Sequence, residues 1–432
     1  MICENITAKG NHLYFAGLDT ADLAKKHGTP LYLMDEDRIR SNCRVYLNAM
    51  KKHFGEGSQP LYASKAASFK RIYEIMKEEG MGIDLVSPGE IYTAVKAGFP
   101  MESSFFHGNN KTDSDIALAM DSGVGYFMAD NMCELKAVNA MAKEKGITQK
   151  VIIRLTPGID PHTYAAVATG KVDSKFGVAI ETGQADDFIK EAVTFPNIEI
   201  MGYHCHVGSQ VFDEEGSVYL DASSIMLAFG AEMQKKYGIE MKILNMGGGF
   251  GVRYTDADPY MDIEGNIEKL AKHIKSEAAR LGINMPKILM EPGRSIVADA
   301  GMTLYTVGTV KEITGYKSYV SIDGGMTDNP RYALYGSKYT VLLANRMDET
   351  ADFTADVAGR CCESGDIIQP DVKMPKPERG DIIAVCTTGA YNYSMASNYN
   401  RIPRPPVVMI SGGMDYTAIR RESYEDLIRN DL

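Results

Sequence analysis

The chain has 432 residues, of which 44% are hydrophobic and 24% charged, a composition that excludes disordered and fibrous proteins and is typical of globular ones. Its 46 basic and 57 acidic residues give a net charge of −11, which disfavours binding to nucleic acid or to an anionic membrane. An anionic substrate would therefore need a local cluster of arginine or lysine.

The amino terminus and the cysteines indicate the cellular compartment. The opening residues, MICENITAKG, lack a basic region followed by an apolar run, so no signal peptide is expected. No stretch reaches the roughly 18 apolar residues of a membrane helix. The 7 cysteines show no regular spacing, no CxxC pair and no zinc spacing. We expect a cytoplasmic protein that does not bind membranes.

The predicted elements begin with two strand candidates in the first 35 residues, around HLYFAG and PLYLMD. Short apolar runs then alternate with longer amphipathic stretches. The runs lie at 59–64, 81–86, 103–107, 124–129, 150–155, 198–205, 241–246 and 286–291. Apolar strands separated by helices predict a parallel sheet, and this number of units fits an α/β fold of the closed (β/α)8, TIM-barrel type. An open, doubly wound sheet is the alternative.

After residue 300 the long helical patterns end, and short strand-like runs are separated by glycine and proline. This change predicts a C-terminal all-β domain, a β-barrel or sandwich. We therefore expect N-terminal strands (1–35) that associate with the β domain, a barrel (36–300) and the β domain itself (301–432).

Polar residues or glycines follow each predicted barrel strand, where a barrel places its active site. Any one of them could belong to a solvated turn, but their joint occurrence predicts a functional site. They are Lys65, Asp84, His107, Asp130, Arg154, His206, Gly247–Gly249 and Glu291.

Two of these strand ends carry residues suited to binding a ligand. Lys65 directly follows an apolar strand, a position suited to a Schiff-base amine. The glycines at 247–249 can bring backbone N–H groups close to a phosphate, and phosphate sites after strands seven and eight recur in barrels. A surface lysine and a flexible turn are the simpler interpretations.

His204 and His206 are two residues apart and would share one face of a continuing strand. A metal-dependent hydrolase could use them with further ligands from neighbouring strands. The ends of strands five, seven and eight offer Arg154, glycines and Glu291 but no additional histidine. We therefore expect no metal site, and a histidine ring stacked on a planar cofactor instead.

The predicted β domain contains three further candidate segments. The vicinal pair Cys361–Cys362 precedes Glu363, and a thiol there could deliver a proton or simply be buried. Arg331 and Tyr335 lie four residues apart in a loop rich in glycine and proline, and Tyr391 ends a short turn.

Motifs along nearly the whole chain resemble one family. YASKA (62–66), HVGSQ (206–210), GGGFG (247–251), EPGR (291–294), CESGD (362–366) and GAY (389–391), in this order, resemble the alanine-racemase-like, fold type III decarboxylases that use pyridoxal 5'-phosphate (PLP). Within that family the similarity is greatest to the branch that converts diaminopimelate to lysine.

The resemblance implies a PLP site in the barrel. Lys65 would form the Schiff base, His206 would stack on the pyridine ring, and Glu291 would keep the pyridine nitrogen protonated. The residues implied to bind the cofactor are Lys65, Asp84, His206, Ser209, Gly248, Gly249, Glu291, Gly293, Arg294 and Tyr391.

The resemblance also implies a homodimer with shared active sites. Lys65 and His206 would act with Cys362 of the partner subunit, which would protonate the substrate's Cα. The residues implied to bind the substrate are Arg294, Arg331, Tyr335, Glu363 and Tyr391. The chain departs from the family pattern at Ala67, where asparagine is usual, and at Tyr332, where proline is usual.

Other functions on the same fold remain open from the residues alone. Decarboxylases of ornithine, arginine or carboxynorspermidine would favour acidic residues in the distal pocket, whereas Arg294 and Arg331 suit a second carboxylate. A cofactor-free regulatory protein would have lost Lys65, Glu291 and Cys362, which are all present. A racemase would need a second base, usually tyrosine, in place of the Cys362–Glu363 pair.

Overall fold

The computed structural model describes residues 1–159, 173–213 and 216–432. The chain forms two compact units, and neither is a single stretch of sequence. The first unit, here called the β unit, comprises Met1–Asn42, Val252–Tyr260 and Arg294–Leu432. The second, the barrel unit, comprises Cys43–Gly251 and Met261–Gly293.

The N-terminal part of the β unit starts with a small antiparallel sheet and contains both strands expected in the first 35 residues. Asp19 accepts hydrogen bonds from the backbone of Ala21 and Asp22, and so caps the first helix. The elements are β1 (Ile6–Lys9), β2 (His12–Phe15), β3 (Leu18–Asp19), α1 (Thr20–His27), β4 (Leu31–Asp35) and α2 (Glu36–Phe54), which continues into the barrel unit.

The strands of the barrel unit are mostly buried along their length, as expected for a parallel sheet covered by helices. They are β5 (Gln59–Ala63), β6 (Gly82–Leu85), β7 (Ser104–Phe106), β8 (Tyr126–Ala129), β9 (Gln149–Thr156), β10 (Val178–Ala179), β11 (Ile198–His204), β12 (Ile243–Asn245) and β13 (Lys287–Met290).

One additional pairing closes this sheet into a barrel. The strand order is β9-β11-β12-β13-β5-β6-β7-β8, and β8 pairs with β9 in parallel, while the two-residue β10 adds to β9 outside the ring. The predicted (β/α)8 barrel is therefore confirmed, and the open doubly wound sheet is excluded. Six strands each send one apolar side chain into a shared buried cluster, namely Leu61, Phe105, Met128, Ile152, Ile243 and Leu289.

The helices of the barrel unit begin and end at recognisable signals. Ser87 and Asn131 accept a backbone N–H three residues later, while Gly146 and Gly282 end their helices in the left-handed conformation. The helices are α3 (Lys70–Glu79), α4 (Pro88–Lys96), α5 (Asp113–Asp121), α6 (Met132–Lys145), α7 (Gln184–Ala192), α8 (Ser217–Tyr237) and α9 (Ile263–Leu281).

The C-terminal part of the β unit is mostly sheet, as predicted. Its elements are α10 (Arg294–Val297), β14 (Gly301–Ile313), β15 (Lys317–Ile322), α11 (Arg331–Tyr335), β16 (Val341–Leu343), β17 (Phe353–Ala358), β18 (Ile367–Met374), β19 (Ile382–Cys386), β20 (Val407–Ser411), β21 (Met414–Ile419) and α12 (Tyr424–Ile428).

One sheet organises the β unit, in the order β18-β17-β15-β14-β4-β20-β21, with β19 pairing with β14 and β16. β4 is antiparallel to β14 and parallel to β20, so an N-terminal strand lies between two C-terminal ones. The segment predicted as a loop around Arg331 and Tyr335 contains the short helix α11, which Gly336 ends in the left-handed conformation.

Candidate active site

The closed barrel brings the predicted polar residues to one end, because the carboxyl ends of parallel strands meet there. Lys65 lies in the single turn that follows β5, and Asp84 is the third residue of β6. His107 and Glu291 directly follow β7 and β13, and His204 ends β11. His206 therefore lies beyond the strand, so it does not share a strand face with His204.

Glu291 is held by donors on both carboxylate oxygens. Asn245 donates to Oε1 at 2.7 Å, and His107 Nε2 lies 2.9 Å from the same oxygen. His204 Nε2 lies within hydrogen-bonding distance of Oε2, at 3.2 Å. All four side chains are buried, so the orientation of the Glu291 carboxylate is fixed by its neighbours.

The ionisation of this cluster follows from burial and from these contacts. Burial alone would raise the pKa of Glu291, but His107 and His204 together lower it well below its usual range. Burial lowers the pKa of His204 to about 4. Burial also raises the pKa of Asp84 to about 6, against the opposing effect of His107. At neutral pH an ionised Glu291 thus lies beside a neutral His204.

Arg154, in β9, supplies a positive charge to the same end of the barrel. Its Nε lies 3.9 Å from Asp130 Oδ1, and its guanidinium faces the Phe176 ring at 4.4 Å. Burial lowers the pKa of Arg154, while Asp130, Glu291 and Asp84 raise it. The carboxylates therefore favour the charged form of this arginine in an otherwise desolvated position.

The glycine run after β12 approaches neighbouring backbone more closely than any side chain would allow. A Cβ on Gly248 would lie 2.1 Å from the carbonyl oxygen of Glu291. Gly249 has a φ of +119°, and a Cβ there would lie 2.4 Å from the carbonyl oxygen of Gly208. This run therefore packs directly against the segment that carries His206 and Ser209. Its exposed surface consists of backbone rather than side chains.

Lys65 and His206 lie at this same end. Lys65 is exposed and His206 is half-buried. Burial lowers the pKa of His206 well below its ordinary value, and the charge of Lys65 adds to that effect. The backbone N–H of Ala63 donates to the carbonyl of Pro292 at 3.1 Å, and a Cβ on Gly293 would lie 2.9 Å from Ala63 Cβ. These contacts join the Lys65 turn to the segment after Glu291.

A second cluster of predicted residues lies within the β unit. Arg294 and Arg331, the first residues of α10 and α11, are buried, and both donate to the phenol oxygen of Tyr254, at 2.7 and 3.0 Å. Arg331 also donates to Tyr339 at 3.2 Å. The two guanidiniums face the Tyr391 ring at 4.8 and 5.7 Å. We call these five residues the arginine cluster.

Arg331 is a buried cation whose hydrogen-bond partners are phenol and hydroxyl oxygens. Among the described residues no carboxylate forms an ion pair with it, and its hydrogen bonds go to Tyr254, Tyr339 and Ser337. A buried guanidinium offers several fixed donors and favours an anionic partner with planar, bidentate geometry. The arginine cluster can therefore bind a carboxylate.

The remaining predicted residues of the β unit lie on its surface. Cys362 and Glu363 are in an exposed turn between β17 and β18, and Tyr335 is also exposed. The backbone N–H of Cys362 donates to Asn400 Oδ1 at 2.7 Å. In the described parts of the chain, no hydrogen bond or ion pair joins this turn to the arginine cluster.

Sequence reasoning missed several members of these two groups. Asn245, Tyr254 and Tyr339 carried no motif, although Asn245 lies two residues before the first glycine of the predicted run. The sequence-based prediction considers partners of His204 only at the ends of strands five, seven and eight, whereas the closed barrel places His107, from the end of strand three, close to it. Potential ligand atoms of His107, His204 and Glu291 lie within 4.8 Å of one another.

The sequence profile described as "Pyridoxal-dependent decarboxylase, pyridoxal binding domain" matches residues 37–298. Diaminopimelate decarboxylase of Bacillus subtilis is 44% identical over 98% of this chain and 95% of its own length. The enzyme of that name from Staphylococcus aureus is 42% identical over 98% of both chains.

Solved structures extend the comparison. A crystal structure of diaminopimelate decarboxylase from M. jannaschii, also determined in complex with L-lysine, has a TM-score of 0.91 at 34% identity over 99% of this chain and 98% of its own. A lysine/ornithine decarboxylase from Vibrio vulnificus has a TM-score of 0.76 at 25% identity over 91% of this chain and 97% of its own.

Among the described residues, no helix is both long and apolar enough to cross a membrane.

Proposed function

Because the chain belongs to the pyridoxal-dependent decarboxylases, and among them to the diaminopimelate decarboxylases, we propose that it uses PLP to convert meso-2,6-diaminopimelate to L-lysine and CO2, the last step of lysine biosynthesis. The observation that carries the proposal is the arginine cluster. Its buried Arg331 has no carboxylate partner among the described residues and matches the second carboxylate that distinguishes diaminopimelate from lysine and ornithine.

The barrel residues fit PLP. Lys65 offers an exposed amine at the carboxyl end of the strands, and the glycine run offers backbone where a phosphate would need close approach. When bound, PLP supplies an electron sink for the electron pair that departing CO2 leaves behind. Glu291, held ionised, holds a proton at the pyridine nitrogen and so maintains the positive charge of the ring.

The proposal gives the residues around Glu291 a supporting role. Asn245 and His204 donate to its two oxygens, and this fixes the carboxylate in one orientation. His206 would stack on the face of the pyridine ring, and Ser209, Gly248, Gly249, Gly293 and Tyr391 would contribute to the phosphate site. Asp84 and Arg154 add charge at the same end of the barrel.

Recognition of the distal end of the substrate falls to the β unit. Arg294 and Arg331 form charge-assisted hydrogen bonds with the distal carboxylate, and Glu363 binds the distal ammonium. Tyr335 and Tyr391 complete the substrate contacts. Diaminopimelate carries both distal groups, so it matches this combination of arginine and glutamate better than a simple diamine precursor does.

The proposal includes a homodimer in which Cys362 of the partner subunit donates the proton to Cα. Cys362 is exposed on a turn of the β unit, so its side chain is available to a second copy of the chain. An exposed thiol next to Glu363 can act as a positioned general acid.

The substrate is tested by measuring kcat/KM of the purified enzyme with diaminopimelate, lysine, ornithine and arginine in the presence of PLP. Leaving a buried guanidinium without its anion costs on the order of 3–5 kcal/mol, or about 10²–10⁴-fold in kcat/KM. We expect diaminopimelate to be preferred by that factor. Comparable values for ornithine or lysine would instead favour the activity of the Vibrio vulnificus relative.

A further inference from the structure

Tyr254 lies at the centre of the arginine cluster, although it belongs to neither α10 nor α11. Its segment, Val252–Tyr260, separates the barrel strand β12 from helix α9 in the sequence and yet belongs to the β unit. Its phenol oxygen accepts a hydrogen bond from Arg294 at 2.7 Å and another from Arg331 at 3.0 Å. One oxygen atom therefore links both guanidiniums.

We infer that Tyr254 is a positioning residue for the substrate's distal carboxylate, because it fixes Arg294 and Arg331 on a common oxygen and so sets the orientation of the remaining N–H donors of both. This inference rests on the proposed function, and it assigns Tyr254 a role in selecting a dicarboxylate over a monocarboxylate substrate.

The chemistry of the three groups supports this role. A guanidinium has donors but no acceptor, so the phenol oxygen must be the acceptor in both hydrogen bonds. Burial alone would raise the pKa of Tyr254, but Arg294 and Arg331 together lower it. The two cations thus favour negative charge on the shared oxygen, which keeps both guanidiniums directed at it.

Tyr254 is itself held firmly. Its carbonyl accepts from the backbone N–H of Thr340 at 3.0 Å and from Thr340 Oγ1 at 2.9 Å. Its backbone N–H donates to Asp258 Oδ2 at 2.9 Å, and its ring packs edge-to-face on Tyr339 at 5.4 Å. A phenol anchored in this way can orient long arginine side chains, which would otherwise lose conformational entropy on binding a ligand.

The test compares Tyr254→Phe with the wild type in the PLP-loaded enzyme. The variant keeps the ring and its packing but loses the shared acceptor. We expect KM for diaminopimelate to rise about 10- to 100-fold with kcat changed less than about 3-fold, the effect of losing one or two charged hydrogen bonds. Tyr339→Phe, which removes an acceptor from Arg331 alone, serves as the matched variant and should have a smaller effect.

Two competitive inhibitors separate positioning from a general structural role. L-Lysine, the product, keeps the distal carboxylate of diaminopimelate as its own α-carboxylate, whereas cadaverine (1,5-diaminopentane) lacks it. In Tyr254→Phe the inhibition constant of L-lysine should rise with KM, while that of cadaverine should stay within about 2-fold of the wild-type value, since cadaverine has no carboxylate for the arginines to bind. Equal weakening of both inhibitors, or no weakening of either, would overturn the inference.

A milder variant covers the case in which Tyr254→Phe does not fold. Thr340→Val removes the hydroxyl that anchors the Tyr254 carbonyl and leaves the phenol in place. It should weaken binding of L-lysine by a smaller factor than Tyr254→Phe does and leave binding of cadaverine unchanged, and an unchanged ratio of the two inhibition constants would contradict the proposal. A wild-type enzyme that does not decarboxylate diaminopimelate would refute the proposed function itself, which these inhibitor ratios do not test.

Discussion

The cluster around Glu291 and the arginine cluster differ in how their buried charges are compensated. Glu291 has nearby donors on both oxygens, so its charge is already compensated by the barrel unit. Arg331 is equally buried but meets only phenol and hydroxyl oxygens in the described chain. The charge of Glu291 is thus compensated within the barrel unit, whereas Arg331 has no anionic partner among the described residues, and this difference motivates its proposed role in binding the substrate's carboxylate.

The largest effect should come from the barrel end. Lys65→Ala should abolish decarboxylation and the visible absorbance of bound PLP, because no other amine would hold the cofactor covalently. Activity and an absorbance spectrum after dialysis with PLP measure this. Lys70→Ala, at an exposed position at the start of α3, is the control and should behave like the wild type. A Lys65 variant that retained borohydride-reducible PLP would show that another lysine holds the cofactor.

The second largest effect tests whether Arg331 binds the distal carboxylate of the substrate. Arg331→Ala should lower kcat/KM for diaminopimelate by about 10²–10⁴-fold, since the distal carboxylate loses a desolvated partner. The loss of kcat/KM for lysine as a substrate should be much smaller. The ratio of kcat/KM for diaminopimelate to that for lysine should therefore decrease. Arg346→Ala, which breaks a surface pair with Glu349 in the same unit, is the control. An unchanged preference in Arg331→Ala would place the carboxylate site elsewhere.

A smaller effect concerns the exposed turn of the β unit. Lys65→Ala and Cys362→Ala should each be inactive as pure dimers. Subunit exchange between them at equal concentration should give hybrids in half of the dimers, each with one intact site, and so about a quarter of wild-type activity. Activity after mixing and exchange measures this. Absence of recovery under conditions in which labelled subunits do exchange would mean that each site is built within one chain.

The smallest effect is on stability and comes from two buried groups that titrate in opposite senses. On acidification from pH 6.5 towards 5, the unfolded chain takes up a proton at His204 that the folded protein, with a pKa of about 4, does not accept. The free energy of unfolding therefore decreases over this pH range. Over the same range the folded protein takes up a proton at Asp84, with a pKa of about 6, before the unfolded chain does. This proton uptake increases the free energy of unfolding, so the contributions of Asp84 and His204 oppose each other.

Single substitutions separate these contributions. Asp84→Asn should lose stability on going from pH 6.5 to pH 5 relative to the wild type, by up to about 1.4 kcal/mol per pH unit. His204→Asn should gain stability relative to the wild type over the same change. Urea denaturation at both pH values measures the difference. Parallel pH profiles for the two variants would show that the two side chains do not have these pKa shifts in the folded protein.

The fold was predictable because its signals are local and repeated. Every predicted apolar run from 59–64 to 286–291 coincides with a barrel strand to within a few residues at each end. Burial of a parallel sheet on both faces imposes this pattern on each unit separately. The prediction differs from the structure in detail at α11. The segment rich in glycine and proline was predicted to be a loop, but it contains this short helix.

The partners within the site were less predictable, because they are set by contacts between distant segments. His107 and Glu291 are separated by most of the barrel sequence and meet only because the sheet closes. Tyr254 reaches Arg331 from a segment that lies between barrel elements in the sequence. Residue type indicates that a histidine or a phenol can bond to these groups, but only the folded arrangement of distant segments determines which one does.

The placement of β4 has a consequence for dividing the protein into fragments. This strand, from the first tenth of the chain, completes the hydrogen-bonding of both β14 and β20. A fragment that starts at residue 301 would expose two unpaired strand edges in the middle of its sheet, and such edges promote aggregation. Expression of the C-terminal region by itself would therefore require the N-terminal strand to be supplied, for example by a circular permutation that joins it to the β20–β21 hairpin.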